Sequence, residues 1–270
     1  MSPAEFMRSA PAVLSGNSPW AQRYANEIRR TITEHAMYAP RSLQVHLGPS
    51  ELGAPCDRQI VGKLIGAERT NHVADPWPSI VGTAVHAWLS NCLTADNLRR
   101  GVTRWLPEHR VTPMDGHSGT ADAYDALEQS VDDWKILGDS SLSHIRSLNG
   151  PPRRYIVQLL LYGLGYRRLG LPVKRVVLIA LPRTAGTLDG MYVWERQHSP
   201  ADDDLLQEVF ADTERRKILA TAVLAGQLTL NDIPIVPDDR ECYFCPLYRP
   251  QAATDSGPGC PGTITQKGTL

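Results

Sequence analysis

The sequence predicts an α/β fold whose central elements follow the order α-β-β-β-α-β. Three observations support this prediction. Apolar residues recur at helical spacing through the N-terminal third of the chain, and three strand-like segments separated by turn residues come next. A strongly helical segment then precedes a run of β-branched residues, and a further helix and an irregular tail close the chain. Such an order is typical of an α/β domain.

Three helices are predicted before the strands. Helical spacing predicts the first over Trp20–His35 and the next two over Cys56–Ile65 and Ile80–Leu93. Gly66 directly follows the second run and ends it. Residues 1–17 are rich in Ser, Pro and Ala, so we expect them to be loosely ordered.

The central block and the segment after it carry clear boundary signals. A Pro-Pro pair and Gly170 flank one predicted helix, and Ser199 followed by Pro200 is a typical N-cap of another. The chain is irregular after Gly226. The predicted elements are strands over Val102–Val111, Gly119–Leu127 and Ser130–Leu137, a helix over Tyr155–Leu169, strands over Lys174–Leu181 and Met191–Glu195, and a helix from Ser199 to about Leu224.

Composition limits the classes of protein that fit. The 270 residues, 42% hydrophobic and 21% charged, are enough for one sizeable core or a core with a small satellite. The formal net charge of −1 excludes a globally basic nucleic-acid binder, so any positive charge for DNA must be local. No run approaches the ~20 apolar residues that span a bilayer, and the N-terminus lacks a signal-peptide core. We therefore expect a cytoplasmic protein.

Two predicted strands carry a carboxylate–lysine group. Asp122 lies in GTADAYD, and Asp133 and Lys135 lie in VDDWKIL. Residues two apart in a strand share a face, so Asp133 and Lys135 point the same way, and a neighbouring strand can bring Asp122 beside them. Two carboxylates on one face favour a divalent cation such as magnesium, and a lysine beside it suits phosphodiester hydrolysis. An exposed ion pair is the simpler alternative for any D-x-K.

Two helical motifs flank this group. Gly82 precedes His86 by one helical turn, so the glycine allows close approach of that face and His86 can reach inward as a third metal ligand. Gln158 and Tyr162 share one face of an otherwise apolar helix, where a glutamine must be hydrogen-bonded. A core or surface histidine, and a buried glutamine bonded to backbone, remain the alternatives.

Four of the five cysteines form a candidate metal site. Cys242 and Cys245 form a C-x-x-C pair, Cys260 follows after fourteen residues, and Cys56 lies far upstream. Four thiolates suit zinc or an iron–sulfur cluster, and spacing does not separate the two. A site made by the C-x-x-C pair without Cys56 and Cys260 is the alternative. Cys92 is best explained as a small buried residue.

Together these motifs resemble the RecB-like nucleases of the PD-(D/E)xK type. GTAVH resembles their GxxxH motif, GTADAYD with DDWK their G-x-x-D and D/E-x-K pair, and QLLLY their QxxxY motif. One cysteine before the motifs and a group after them is similar to the iron–sulfur branch, which includes CRISPR-associated and phage exonucleases. The resemblance covers residues 56–260, although such relatives usually space the last two cysteines more closely.

The resemblance implies a fold and a set of site residues. It implies a restriction-endonuclease-like core, that is, a mixed sheet flanked by helices. It implies catalysis by Lys135 with Gln158 and Tyr162 beside it, and Glu108 resembles an acidic position of some relatives. The implied ligands are His86, Asp122, Asp133 and the Trp134 carbonyl for magnesium or manganese, and Cys56, Cys242, Cys245 and Cys260 for a four-iron four-sulfur cluster, with zinc as the alternative.

The expected organisation is a flexible 1–17, a helical region over 18–78 that contributes Cys56, a nuclease core over 79–226 and a cluster segment over 227–270. The expected activity is exonuclease action on DNA, single-stranded or with free ends, in recombination, repair, phage replication or CRISPR adaptation. Arg153 and Arg154 are the expected phosphate contacts. A structure-specific endonuclease and a non-catalytic DNA-binding subunit stay open, as do a homo-oligomer and a recombination or CRISPR protein partner.

Overall fold

The computed structural model describes residues 18–37, 46–71, 75–148, 150–237, 239–254 and 257–262. The expectation for 1–17 lies outside these residues. The chain divides into two compact units. The sheet unit comprises His46–Ile65 and Val81–Val236, and the tail unit comprises Met1–Val45, Gly66–Ile80 and Pro237–Leu270.

The sheet unit is built on a five-stranded sheet in the order β1-β2-β3-β4-β5. Neighbouring strands pair antiparallel except β3 and β4, which pair in parallel. A parallel pair needs a crossover, and two helices lie between β3 and β4 in the chain. The predicted mixed sheet is therefore confirmed, with strands β1 Trp105–Met114, β2 His117–Asp125, β3 Ser130–Leu137, β4 Arg175–Pro182 and β5 Tyr192–Gln197.

Helices precede the strands, connect β3 to β4 and follow β5 along the chain. One prediction failed here: the helix α5 was missed because its short sequence carries only Leu142 and Ile145 as buried apolar residues among polar ones. The helices of the chain are α1 Pro19–Met37, α2 Pro49–Leu52, α3 Asp57–Leu64, α4 Trp77–Arg100, α5 Asp139–Ser147, α6 Arg153–Arg168, α7 Pro200–Leu224 and α8 Asp239–Phe244, with 3₁₀ turns at Leu188–Gly190, Leu230–Asp232 and Pro250–Ala253.

The helix α6 packs on the sheet and contributes more buried residues to the main core than any other element. Its apolar residues from Val157 to Leu161 are buried, as the predicted helix requires. Gly119 of β2 allows a close approach here, because a Cβ atom at this position would lie 2.6 Å from Cδ of Pro49 and 3.1 Å from Cε1 of Tyr162. This packing fixes where the polar residues of α6 meet the sheet.

The N-cap of α7 confirms the prediction made from Ser199. The Asp202 carboxylate accepts hydrogen bonds from the Ser199 backbone N–H at 2.8 Å and from its hydroxyl at 3.1 Å.

Further along α7, Arg216 is buried and donates hydrogen bonds to the Asp57 carboxylate and to the Ala54 carbonyl. Arg216 therefore connects α7 to the start of α3.

The tail unit contains α1, α8 and the last cysteines. Thr70 and Asn71 connect its segments, because both backbone N–H groups donate to the Pro246 carbonyl at 2.9 Å. The apolar stripe that predicted α1 is exposed; Trp20 and Tyr24 stack on each other with ring centroids 5.0 Å apart. No helix of the described residues is both long and apolar enough to cross a bilayer.

Candidate functional site

Three carboxylates form a row across β1, β2 and β3. In the β1–β2 register Pro107 pairs with Ala123 and His109 with Ala121, so Glu108 lies opposite Asp122. Continuing the β2–β3 register one step past the pair of Ala123 with Asp132 brings Asp122 opposite Asp133. Like charges directly opposite one another destabilise a sheet. A row of this kind therefore needs a cation.

Glu108 holds its place with a strained backbone. Its φ is +48°, in the left-handed region that residues other than glycine seldom adopt. Such a conformation costs of order 1–3 kcal/mol and is retained where the surrounding structure dictates it. Only the family resemblance singled out Glu108 from the sequence. Its position opposite Asp122 depends on a register irregularity between Val111 and Met114, which local sequence patterns do not reveal.

His86 of α4 meets this row at Asp122. Its Nδ1 lies 3.1 Å from Oδ1 of Asp122, and ligand atoms of His86, Glu108 and Asp122 all lie within 4.8 Å of one another. Burial of His86 disfavours its charged form, but the hydrogen bond and charge of Asp122 outweigh that effect, so the pKa of His86 is raised. One imidazole nitrogen and two carboxylates are a donor set that fits a divalent cation.

Asp122 is also fixed by the backbone of the next strand. Its Oδ2 accepts a hydrogen bond of 2.7 Å from the backbone N–H of Trp134. The carboxylate is therefore oriented from two sides, with one oxygen toward His86 and the other toward β3. A carboxylate held in this way is already oriented and would lose little further freedom on binding a cation.

Lys135 lies beside this group and pairs with Asp133. The Lys135 ammonium forms an ion pair with Asp133, and both side chains are largely buried, at 17% and 2% exposed. Burial alone would lower the pKa of Lys135, but the charges of Asp133 and Asp122 outweigh it and raise that pKa. Burial raises the pKa of Asp133, while the Lys135 charge opposes the rise.

Gln158 of α6 bonds to both members of this ion pair. Its Nε2 donates to Oδ1 of Asp133 at 3.1 Å, and its Oε1 accepts from Nζ of Lys135 at 3.3 Å. Nε2 also lies 3.4 Å from the hydroxyl of Tyr162, one turn further along the helix. The structure thus brings Gln158 and Tyr162 to the carboxylate–lysine group, and Gln158 bonds to side chains instead of to backbone.

The expected role of Gly82 is wrong. Beyond its chain neighbours and the backbone of its own helix, no heavy atom of the described residues comes within 4 Å of a Cβ atom built at this position. Close approach of the α4 face is therefore not what brings His86 to the sheet. The His86 imidazole contacts Asp122 without requiring a glycine at position 82.

Several arginines of the described residues are paired with carboxylates, which limits the positive charge available for DNA. Arg154, one of the two expected phosphate contacts, donates from Nε to the Ser50 carbonyl at 3.0 Å. Arg153 is exposed and forms no ion pair within the part of the chain that the structure describes. The paired arginines outside this region include Arg100 with Asp96, Arg104 with Asp125, Arg167 with Asp203, Arg175 with Glu195 and Arg215 with Asp57.

Three of the four candidate cysteine ligands lie in the tail unit. The backbone N–H of Cys245 donates to the Cys242 carbonyl at 3.0 Å, at the C-terminal end of α8. Cys260 forms a parallel bridge with Tyr248, and Cys245 and Cys260 are both buried. Cys56 belongs to the sheet unit, where it is the N-cap residue of α3.

Comparisons with known proteins place the chain in no family. No family model and no curated protein matches it. Among solved structures, an alkaline exonuclease from Laribacter hongkongensis superposes with a TM-score of 0.46 at 10% identity over 68% of this chain and 91% of that chain. Its complex with dAMP gives 0.45 at 11% identity over 68% and 95%, and a phage-related exonuclease from Haemophilus somnus gives 0.42 at 10% over 64% and 82%. These scores mark a distant likeness.

Proposed function

We propose that this protein is a metal-dependent nuclease that hydrolyses phosphodiester bonds in DNA, acting as an exonuclease from single-stranded ends. One observation carries the proposal: a row of three carboxylates with a histidine lies beside a buried lysine that is itself paired within the row. Such a costly concentration of charge is typical of a hydrolytic site for phosphate esters. The order of the motifs in the sequence supports DNA as the substrate.

The chain's own residues supply the remaining chemistry. When magnesium or manganese is bound at this site, it would polarise a phosphoryl oxygen as a Lewis acid and would make a water molecule bound to it more acidic. We propose His86, Asp122, Asp133 and the Trp134 carbonyl as its ligands, with Glu108 completing the set. Lys135 orients the attacking water and stabilises the negative charge that grows on the phosphate. Gln158 keeps Asp133 and Lys135 aligned through its two hydrogen bonds.

Arg153 is the proposed contact to the DNA backbone. It begins α6, the helix that carries Gln158, and its side chain is exposed and unpaired among the described residues. Arg154 shares the location but is partly committed to the Ser50 carbonyl. We expect Arg153→Ala to raise KM about equally for all sequences and to reduce the salt dependence of binding by about one phosphate contact.

The deciding experiment follows single-stranded DNA labelled at its 5′ or its 3′ end, with magnesium or manganese and protein purified without oxygen. Wild type is compared with Asp122→Ala and Lys135→Ala, which we expect to lose cleavage by about 10³-fold or more. Asp115→Ala is the matched control, because Asp115 is a fully exposed carboxylate in the β1–β2 turn. It should cleave like wild type.

The pattern of products separates the open alternatives. Early release of one label as a mononucleotide indicates exonuclease action and its polarity, whereas cleavage of circular single-stranded DNA indicates an endonuclease. No cleavage of single strands, duplexes or flaps by folded, metal-loaded protein would contradict the proposal. A non-catalytic DNA-binding subunit, or one that requires a recombination or CRISPR partner, would then be favoured.

We also propose that Cys56, Cys242, Cys245 and Cys260 bind a four-iron four-sulfur cluster, with zinc as the alternative metal. The support is the burial of Cys245 and Cys260 in a segment held by backbone hydrogen bonds. Anaerobically purified protein should be brown and contain about four irons and four sulfides. Each of the four Cys→Ser variants should lose the metal, while Cys92→Ser should keep it. Colourless protein with one zinc would establish the alternative.

A further inference from the structure

A third group of the sheet unit contacts the Lys135 ammonium. Besides Asp133 and Gln158, the ring of Tyr155 lies against it, with Nζ of Lys135 5.0 Å from the ring centroid. A cation within about 6 Å of an aromatic ring face is attracted by the negative potential of that face. The lysine is therefore held by a carboxylate, an amide oxygen and an aromatic ring.

The helix α6 presents all its contacts to the site from one face. Tyr155, Gln158 and Tyr162 are three and four residues apart, a spacing that stacks side chains along successive helical turns. Tyr155 is partly buried and packs against the main core. The first turn of α6 thus places an aromatic ring beside the Lys135 ammonium.

The three contacts constrain the lysine in different ways. Asp133 forms an ion pair with the ammonium, and Gln158 Oε1 accepts a hydrogen bond from one of its N–H groups. A ring face attracts the charge without fixing any one N–H, and it displaces water from that side. A lysine enclosed in this way keeps its position while its remaining N–H groups stay available for a substrate oxygen.

We propose that Tyr155 is a positioning residue for Lys135 and acts through its aromatic ring, not its hydroxyl. The proposal rests on the nuclease function proposed above, since it assigns a role to Tyr155 in the same site. Tyr155 lies three residues before the QxxxY pattern, in a segment with no feature that would single it out from sequence. The spatial contact with Lys135 is what reveals it.

Steady-state kinetics give the first test. Tyr155→Phe keeps the ring and should keep kcat and KM within about twofold, whereas Tyr155→Leu should lower kcat by about 5- to 30-fold with KM little changed. Tyr192→Leu is the matched control, because Tyr192 is another partly buried tyrosine packed against the same core, on β5. It should lose comparable thermal stability and keep its kcat.

A second measurement does not depend on activity. The chain has five lysines, so ¹³C-lysine labelling yields a simple spectrum, in which Lys135→Arg identifies the Lys135 signal. Ring current from Tyr155 should shift the Lys135 side-chain protons upfield in wild type and in Tyr155→Phe. That shift should disappear in Tyr155→Leu and persist in Tyr192→Leu.

The two measurements separate failure of this inference from failure of the proposed function. If wild type cleaves DNA but Tyr155→Leu cleaves equally fast, or if Tyr155→Phe is as impaired as Tyr155→Leu, the positioning role is wrong. An unshifted Lys135 signal in wild type would overturn the ring contact itself. If the shift is present but wild type cleaves no DNA, the contact stands and the nuclease proposal, with the catalytic part of this inference, falls.

Discussion

The two faces of β3 carry adjacent aspartates with different surroundings. Asp133 faces α6 and is bonded by Lys135 and Gln158. Asp132 faces the other side, where the Ser130 hydroxyl donates to its Oδ1 at 2.7 Å. Both carboxyls are buried, and burial raises the pKa of each. The site face therefore supplies a cation for its buried carboxylate, while the opposite face supplies a neutral hydroxyl.

The acidic residues on the two faces of the sheet also differ in how they are grouped. On the opposite face the carboxylates line a cavity of about 310 Å³ without forming a three-ligand group; among the described residues that group is found only at His86, Glu108 and Asp122. Asp125 and Glu195 in this lining pair with Arg104 and Arg175, whereas Asp132 accepts its hydrogen bond from the neutral Ser130 hydroxyl, so its burial costs stability once it ionises. The residues that line this cavity are Asp125, Glu128, Ser130, Asp132, Arg175, Val177, Val193 and Glu195.

The largest expected effect separates the two aspartates by activity. Asp133→Asn should lower kcat for DNA cleavage by about 10³-fold, because it removes the charge that pairs with Lys135 and contributes to the proposed metal site. Asp132→Asn changes the adjacent residue on the opposite face and should cleave within about threefold of wild type. Equal losses in both variants would show that the two faces do not differ in function.

The next effect concerns packing on the site face. Gly119→Ala should destabilise the protein by roughly 1–3 kcal/mol, because the new methyl would lie 2.6 Å from Cδ of Pro49 and 3.1 Å from Tyr162. Urea unfolding followed by circular dichroism measures the change. Adding Pro49→Ala removes the nearest atoms and should restore part of the loss. Unchanged stability in Gly119→Ala would mean that α2 yields freely.

On the opposite face, we expect replacement of Asp132 to stabilise the protein in a pH-dependent way. Burial raises the pKa of Asp132 to about 6, although the Ser130 hydrogen bond opposes the rise. A carboxyl with a raised folded-state pKa is uncompensated once it ionises, so the free energy of unfolding falls as pH rises from about 4 to about 6. Asp132→Asn should therefore be more stable than wild type by roughly 2 kcal/mol at pH 8 and equal to it at pH 4. A constant difference across this range would contradict the assignment.

Strand alternation in the sequence was sufficient to put Asp133 and Lys135 on one face, and helical spacing to put Gln158 beside Tyr162. It was not sufficient for Glu108. If the register of Met114 with His117 continued along the hairpin, Glu108 would face Ala123, and the irregularity near Val111 moves it opposite Asp122. Such shifts depend on tertiary packing, which local patterns do not encode.

The smallest expected effect concerns Gly82, where the sequence argument was wrong. A methyl at this position meets no described atom within 4 Å beyond its chain neighbours and its own helix backbone, and alanine favours helix over glycine by up to about 1 kcal/mol. Gly82→Ala should thus raise the urea midpoint slightly and leave cleavage unchanged, in contrast to Gly119→Ala. A loss of stability would indicate that this face of α4 is closely covered, and the position of His86 would then depend on the glycine after all.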